Sequence, residues 1–114
     1  MATKALVAAS SKPMILSILG HGESYGYQII KKVEELTGGE LQWTDAMLYP
    51  VLHRMEREGL IESRWVIPEN GRKRKYYKLT PLGAESREVE KRQWIKVNDA
   101  LQHLWSDKPG LALG

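Results

Sequence analysis

Residues 44–80 of the chain read TDAMLYPVLHRMEREGLIESRWVIPENGRKRKYYKLT, and this stretch decides the fold. Its first third carries apolar residues at helical spacing, and Gly59 stands where such a helix would end. Residues 60–67 are rich in β-forming residues, which predicts a strand. The segment Pro68–Gly71 predicts a tight turn, because Asn and Gly tolerate positive φ, and residues 76–79 predict the returning strand.

Four cations, Arg72–Lys75, follow this turn directly and would repel one another without a partner. Between His53 and Lys78 the chain has eight lysines and arginines against four glutamates, whereas the whole chain carries only +3. A local basic patch on a nearly neutral body indicates a defined site for a polyanion. Two simpler explanations stay open, namely a solvated helix face and a charged hairpin that discourages pairing between sheet edges.

Two shorter helices are predicted before this unit. Residues 13–19 are apolar and end at His21-Gly22, and Ser24 is a candidate N-cap of a second helix that ends at Gly38-Gly39. The predicted inward faces carry Ile29, Ile30, Val33 and Leu36 on the second helix, and Leu48, Val51, Leu52 and Met55 on the third. Three helices followed by a hairpin predict a winged helix-turn-helix, whose third helix enters the major groove of duplex DNA.

The outward face of the third helix supplies the predicted contacts to bases. These positions are Thr44, Met47, Tyr49, Pro50, His53 and Arg54. Pro50 breaks a local rule, because a proline well inside a helix capped at Thr44 removes an intrahelical hydrogen bond. The helix therefore either starts later than Thr44 suggests or is kinked at Pro50.

Residues 81–105 predict a long helix, with Thr80 as its N-cap and Pro81 at its first position. The second half of this helix carries an apolar stripe of Trp94, Val97, Leu101, Leu104 and Trp105. The two tryptophans are about three helical turns apart, so they share a face. Because a winged domain has a core without this helix, we expect the stripe to bind a second copy of the chain.

The composition fits a small protein of the α+β class. The chain has 114 residues and no cysteine, so it can bury one core but has neither disulfides nor a thiolate metal site. It lacks a membrane-spanning apolar run and a signal-peptide layout, which predicts a cytoplasmic protein with no membrane partner. We expect a mainly α fold with a small β-hairpin, divided into a winged-helix DNA-binding domain at residues 1–80, which includes the N-terminal helix, and a C-terminal dimerisation helix at residues 81–108.

No catalytic pattern is present in the sequence. His21, His53 and His103 are scattered, and Asp99 with His103 is the spacing of an ordinary surface contact on a helix. A phosphate-binding glycine loop, a paired-carboxylate site and a nucleophile motif are all missing. We therefore expect no enzyme activity, no cofactor and no metal. The main alternative to a DNA-binding regulator is a winged-helix protein-interaction module without ligand sensing.

From about Ile15 to Gly83, and more loosely beyond, the chain resembles the PadR-type winged helix-turn-helix transcriptional regulators. The resemblance rests on Ser24–Ile29, on Leu48–Pro50 with Leu52–Ile61, and on Gly71–Thr80 followed by Gly83. It implies a homodimeric bacterial repressor that binds a palindromic operator and releases it when a small molecule binds. It also implies that Pro50 is an accepted feature of the recognition helix.

The same resemblance assigns the parts that touch DNA. The tyrosine of the second helix and the start of the third helix are expected to contact the DNA. The wing, which is the predicted hairpin around Arg72–Arg74, is expected to lie along the backbone or the minor groove. With the outward positions above, the full set of expected contacts is Tyr25, Thr44, Met47, Tyr49, Pro50, His53, Arg54, Arg72, Lys73 and Arg74.

Short members of this family include multidrug-binding repressors, in which a tryptophan from each C-terminal helix lines a pocket at the dimer centre. Trp94 stands where that tryptophan would be, so a planar aromatic molecule is an expected partner. Packing of the dimer core alone is the competing role for Trp94. The expected pocket residues are Leu6, Ala9, Trp94, Val97 and Asn98. The expected dimer contacts are Val7, Met14, Leu101, Leu104 and Trp105. Leu6, Val7 and Met14 are expected to form the surface of the N-terminal helix on which the partner's C-terminal helix packs.

Overall fold

The computed structural model describes residues 3–106, which form four helices and one antiparallel sheet. In chain order the elements are α1 (Lys4–Leu19), β1 (Ser24–Tyr25), α2 (Gly26–Leu36), α3 (Asp45–Arg57), β2 (Ile61–Val66), β3 (Arg74–Leu79) and α4 (Pro81–Trp105). The strand order across the sheet is β1-β3-β2. This is the predicted α+β winged-helix architecture with a long C-terminal helix.

The third helix forms as predicted because its ends are encoded locally. The Thr44 hydroxyl accepts a hydrogen bond from the backbone N–H of Met47 at 3.2 Å, which caps the helix. Gly59, at φ +78°, takes the left-handed conformation that ends it. The helix starts at Asp45 and continues through Pro50, so the alternative of a later start is wrong.

The first helix is longer than predicted, because it begins at Lys4 and includes Pro13 in its interior. The prediction covered only residues 13–19, and the added N-terminal turns include a serine pair whose hydroxyls both bond back into the helix. The Ser10 hydroxyl donates to the carbonyl of Leu6 at 2.6 Å, and the Ser11 hydroxyl to that of Ala8 at 3.1 Å. Serines satisfied in this way do not interrupt a helix that packing supports.

The predicted N-cap at Ser24 is wrong, because Ser24 and Tyr25 form a short strand that adds to the hairpin. They pair with Tyr77 and Tyr76 of β3, and the cap of α2 moves to Tyr25. The Tyr25 backbone N–H donates to the side chain of Gln28 at 3.3 Å. A third strand forms here because the free edge of β3 supplies backbone partners that two residues alone cannot provide.

The wing differs from the predicted tight turn in two respects. Strand β3 begins at Arg74, so Arg74 and Lys75 belong to the strand and not to the turn. The turn is closed by a hydrogen bond from Gly71 N–H to Pro68 O at 3.4 Å, and neither Asn70 nor Gly71 has positive φ. The connection between the strands is longer than a two-residue hairpin, so the positive-φ conformations of such hairpins are not required.

The core lies between α1, α2, α3 and one face of the sheet. Its buried apolar residues are Ile15, Leu16, Leu19, Ile29, Val33, Leu41, Trp43, Leu48, Leu52, Met55, Leu60, Ile61 and Tyr77. Ile30 and Val51 pack partly against it. Leu36 was predicted to face inward but is 67% exposed, because the last turn of α2 reaches the rim of an apolar groove and not the core.

The fourth helix begins and ends where the sequence predicts. The Thr80 hydroxyl accepts from Gly83 N–H at 3.0 Å and donates to the carbonyl of Gly59 at 2.5 Å. The first half of α4 packs on α1, where Lys12 pairs with Glu90 at 3.8 Å. Beyond Arg92 almost every side chain of α4 is exposed. Residues 107 and 108, the end of the predicted dimerisation segment, lie outside the described residues.

Candidate nucleic-acid interface

An open cavity of about 670 Å³ lies between the start of α2, the outer face of α3 and the wing. Six residues predicted to touch DNA border it: Tyr25, Tyr49, His53, Arg72, Lys73 and Arg74. The wing residues are more than twenty positions from Tyr49 in sequence and are brought to it by the β2–β3 hairpin. The cavity therefore joins helix side chains, which can read base edges, to cations that can neutralise phosphates.

The remaining predicted positions of α3 divide between solvent and packing. Thr44, Pro50 and Arg54 are exposed, whereas Met47 and Tyr49 are half-buried against the core. Tyr49 lies on Gly26, where an added Cβ would come within 2.6 Å of the Tyr49 hydroxyl oxygen. Tyr49 thus locks α3 against α2 in addition to facing the cavity.

Aromatic rings hold the cations of the wing. The guanidinium of Arg74 lies 4.5 Å from the ring centre of Tyr25, which meets Tyr76 edge-on at 5.2 Å. The ammonium of Lys73 lies 4.7 Å from the ring centre of Trp65. Such contacts are worth about 0.5–1 kcal/mol at exposed sites. They order side chains that would otherwise move freely in solvent.

An ion pair fixes the base of the wing to the segment before α2. Arg64 of β2 donates to both carboxylate oxygens of Glu23, through Nε at 3.0 Å and through Nη2. These hydrogen bonds and the attraction between the charges lower the pKa of Glu23 and raise the pKa of Arg64. Because both side chains are exposed, the pair orients the two segments more than it stabilises the fold.

A buried polar group lies under the cavity floor. Burial raises the pKa of the Tyr77 phenol to about 12, and the charge of Glu56 adds to the effect. Glu56 of α3 accepts a hydrogen bond from the Ser63 hydroxyl of β2 at 2.6 Å. The hydrogen bond between Ser63 and Glu56 ties α3 to the sheet beside this buried phenol.

Sequence reasoning missed several residues of this surface. Tyr27, Asp45, Trp65 and Lys75 also border the cavity. For Trp65 the sequence signal was a tryptophan in a predicted strand beside a basic turn, and its place directly opposite Lys75 comes from the observed register of the two strands. An exposed tryptophan facing a lysine next to a basic turn indicates a function at the wing.

A second cavity, of about 840 Å³, is an apolar groove between α1, α2 and α4. Its walls are Ser10, Pro13, Met14, Ser17, Ile18, His21, Lys32, Val33, Leu36 and Trp94. Of the predicted ligand residues, only Trp94 borders this groove. Leu6, Ala9, Val97 and Asn98 are exposed outside it, so a pocket that includes them requires a second chain and stays a prediction.

The predicted dimer contacts fall into two sets in the single chain. Val7 and Met14 pack partly against the core, and Leu101 is half-buried. Leu104 and Trp105 are 48% and 66% exposed. Across residues 3–106 no helix is both long and apolar enough to cross a membrane, and no three histidine or acidic side chains lie together as metal ligands would.

Comparison with known proteins gives concordant matches. The profile of the Transcriptional regulator PadR-like family matches residues 15–89. Transcriptional regulator YqjI of Escherichia coli is 36% identical over 85 residues, which are 75% of this chain but only 35% of that protein. The chain therefore spans about a third of that regulator's length.

Solved structures extend the likeness over most of the fold. A PadR-like transcriptional regulator from Bacillus cereus superposes with a TM-score of 0.80 at 30% identity, over 92% of this chain and all of that one. A PadR family transcription regulator from Clostridium difficile gives 0.75 at 32% identity, over 85% and 99% of the two chains.

Proposed function

The chain belongs to the PadR-like family of transcriptional regulators, and from this premise we propose that it is a homodimeric repressor of a palindromic operator. A small planar aromatic compound, bound between the two C-terminal helices, releases it from DNA. In this proposal the protein acts in the cytoplasm and belongs with the short, multidrug-binding members of its family. It is a DNA-binding regulator and not an enzyme.

The observation that carries the DNA-binding role is the shared cavity between α3 and the wing. His53 and Tyr49 border it from the recognition helix, and Arg72 and Lys73 from the wing. Phosphate contacts position a protein on a duplex, whereas contacts to base edges select the sequence. The two kinds of side chain lie on two elements here, so their contributions can be separated by mutation.

We expect each of the changes Arg72→Ala, Lys73→Ala and Arg74→Ala to weaken binding to all duplex sequences alike. Each phosphate that is no longer neutralised lowers the slope of log K against log salt by about one, since one fewer counterion is released. Fluorescence anisotropy with a labelled duplex, titrated over a range of salt concentrations, measures both quantities.

The matched control for the wing is His53→Ala on the recognition helix. This change should reduce the preference for the operator over unrelated DNA, with a smaller effect on the salt slope. Unchanged slopes in all three wing variants would remove the wing from the interface. A wild-type protein with no affinity for DNA at low salt would favour a protein-interaction module instead.

The proposed dimer rests on the exposed apolar residues of two elements. The stripe of α4 presents Leu104 and Trp105 to solvent, and the groove between α1, α2 and α4 presents the exposed Leu36 beside the half-buried Met14. Large apolar side chains exposed together on a monomer commonly mark an interaction surface. Two copies related by a two-fold axis would cover both surfaces at once, and they would also present two recognition helices to one palindrome.

The ligand proposal centres on Trp94, whose side chain is 38% exposed at the edge of the apolar groove. In the dimer we place its ring near that of its twin, with Leu6, Ala9, Val97 and Asn98 as further walls. A planar aromatic compound between two indoles gains about 0.5–1.5 kcal/mol per ring pair beyond the burial of its area.

Planar dyes should quench the tryptophan fluorescence of the wild-type protein. We expect Trp94→Phe to retain part of the binding and Trp94→Ala to lose most of it, while both stay dimeric in sedimentation. Comparing the variants corrects for Trp43, Trp65 and Trp105, which contribute background. Undiminished dye binding by Trp94→Ala would mean that Trp94 only packs the interface, and dissociation of that variant into monomers would assign it a structural role.

A further inference from the structure

The two faces of the wing carry different cations. The register of β2 and β3 pairs Ser63 with Tyr77 and Trp65 with Lys75, which places these four side chains on one face of the sheet. Ser63 donates to Glu56 of α3, so this face is the one turned toward the recognition helix. The opposite face carries the pair of Arg74 and Val66, together with Arg64 and Tyr76.

Trp65 lies close to two lysines on the face of the wing that is turned toward α3. The ammonium of Lys73 is 4.7 Å from the centre of its ring, and that of Lys75 lies 5.9 Å from it and 5.6 Å from the ring centre of Tyr77 on the same face. Trp65 itself is 58% exposed, so packing in the core does not account for it. Arg74 has a separate partner, because it lies over Tyr25 on the other face.

We propose that Trp65 is a positioning residue for DNA binding, which holds Lys73 and Lys75 on the side of the wing that faces the recognition helix. The ligand addressed by these lysines is the phosphate backbone beside the groove that α3 enters. The proposal rests on the DNA-binding function proposed above and adds a residue that acts through its neighbours without touching bases.

The physical reason is the flexibility of lysine. Its charge sits on a four-carbon stem with many rotamers, and ordering such a side chain at an interface costs free energy. A tryptophan ring attracts the ammonium through its quadrupole and supplies an apolar surface for the stem. Lysines that are already ordered on the face turned toward α3 lose less conformational entropy when the protein binds a duplex. The affinity for DNA is therefore higher than with freely moving lysines, although the charge is the same.

The test is a double-mutant cycle on the full chain with a mixed-sequence duplex at low salt. Trp65→Leu is compared with wild type, and the same change is made again in a Lys73→Ala/Lys75→Ala background. In the wild-type background we expect affinity to fall by roughly threefold to tenfold, because the two lysines must then be ordered when the duplex binds. In the double-alanine background the further decrease should be less than about twofold, because Trp65 then has no lysine to position.

The slope of log K against log salt distinguishes a residue that positions cations from a residue that itself neutralises a phosphate. Trp65→Leu keeps every positive charge, so its slope should match that of wild type, whereas each lysine removed lowers the slope by about one. An equal decrease of affinity in both backgrounds would overturn the proposal and assign Trp65 to direct DNA contact or to folding. An unaltered affinity in Trp65→Leu would also overturn it.

Two further variants keep the cycle decisive. Trp65→Phe retains a ring with a weaker attraction for cations, so it must give a smaller decrease that also disappears without the lysines. If Trp65→Leu does not fold, Trp65→Phe replaces it in the double-mutant cycle. Ile67→Ser removes a 74% exposed apolar side chain next to the same strand and should leave affinity unchanged. Failure of wild type to bind the duplex would refute the DNA-binding function itself, which distinguishes it from failure of the role of Trp65.

Discussion

Gly83→Ala is expected to destabilise the protein by about 2–3 kcal/mol, a large change for one methyl group. A Cβ at Gly83 would overlap the backbone carbonyl oxygen of Leu60 and crowd the side chain of Leu79 at 3.3 Å. The carbonyl has little freedom to retreat, because it accepts the backbone N–H of Thr80 at 3.1 Å. The better helix propensity of alanine, worth about 1 kcal/mol, is already subtracted from this value.

The measurement is thermal unfolding followed by circular dichroism, in which we expect Tm to fall by roughly 10–20 °C. Gly20→Ala is the matched control. A Cβ there meets only the guanidinium end of Arg87, a flexible side chain that can turn aside, so Tm should change by no more than a few degrees. Equal stability of the two alanine variants would show that α4 does not dock on the corner between Gly59 and Leu60.

The effect of Gly83→Ala should extend to DNA binding, because this corner joins three functional elements. Gly59 ends the recognition helix and Leu60 leads into the first strand of the wing. The cap of α4 is tied to the same corner by the hydroxyl of Thr80, which donates to the Gly59 carbonyl at 2.5 Å. Displacing α4 therefore shifts the helix and the wing relative to each other.

Elements with local signals could be predicted from the sequence. Thr44 and Thr80 cap α3 and α4 at the expected residues, since a threonine hydroxyl and the N–H groups three residues later lie within one turn. The left-handed Gly59 likewise acts within its own segment. The resemblance to the PadR-type regulators rested on motifs from Ser24 to Gly83 taken together, and the family profile that matches residues 15–89 confirms it.

The elements that were missed depend mostly on contacts distant in sequence. Strand β1 exists only because Ser24 and Tyr25 meet the free edge of β3, and no pattern in two residues announces a strand. The missed start of α1 has local support instead, since the Thr3 hydroxyl caps the helix and the hydroxyls of Ser10 and Ser11 bond to carbonyls three or four residues earlier. The partners of Trp65 required the register of the hairpin, which a long connection between the strands leaves undetermined.

The proposed ligand site between two subunits is supported by a different kind of argument. Leu6, Ala9, Val97 and Asn98 do not meet in one chain, so their grouping around Trp94 rests on the family resemblance and on a second copy. The groove that does exist in the single chain has other walls, including Met14, which was predicted only as a dimer contact. Interface geometry is set by two surfaces together, and one sequence pattern specifies only half of it.

Truncation after Arg92 should give a folded monomer or an aggregating protein that no longer holds its operator. The deletion removes the whole apolar stripe from Trp94 to Trp105, nearly all of it exposed in the single chain. It spares the half of α4 that packs on α1, including Glu90, which pairs with Lys12. Within residues 3–106 the buried apolar core contains no residue beyond Tyr77, so the winged domain keeps its fold.

Operator affinity should fall by about 10²–10⁴-fold, because the second half-site is then bound as a separate molecule and no longer at a high effective concentration. Two recognition helices must also lie about one DNA turn apart, roughly 34 Å, and only a fixed dimer maintains that spacing. Sedimentation measures the assembly, and anisotropy with whole and half operators measures the affinity. The truncated protein should bind both DNAs equally, whereas wild type should strongly prefer the whole operator.

Two controls separate removal of the stripe from shortening of the chain. Truncation after Trp105 keeps all of α4 and should stay dimeric. Leu104→Lys in the full chain places a charge within the stripe and should weaken the dimer without shortening the helix, since a buried unpaired charge at an interface is costly. A protein cut after Arg92 that remained dimeric and bound the operator normally would assign dimerisation to another surface. The apolar groove beside Met14 and Leu36 would then have to support the dimer without the stripe of α4.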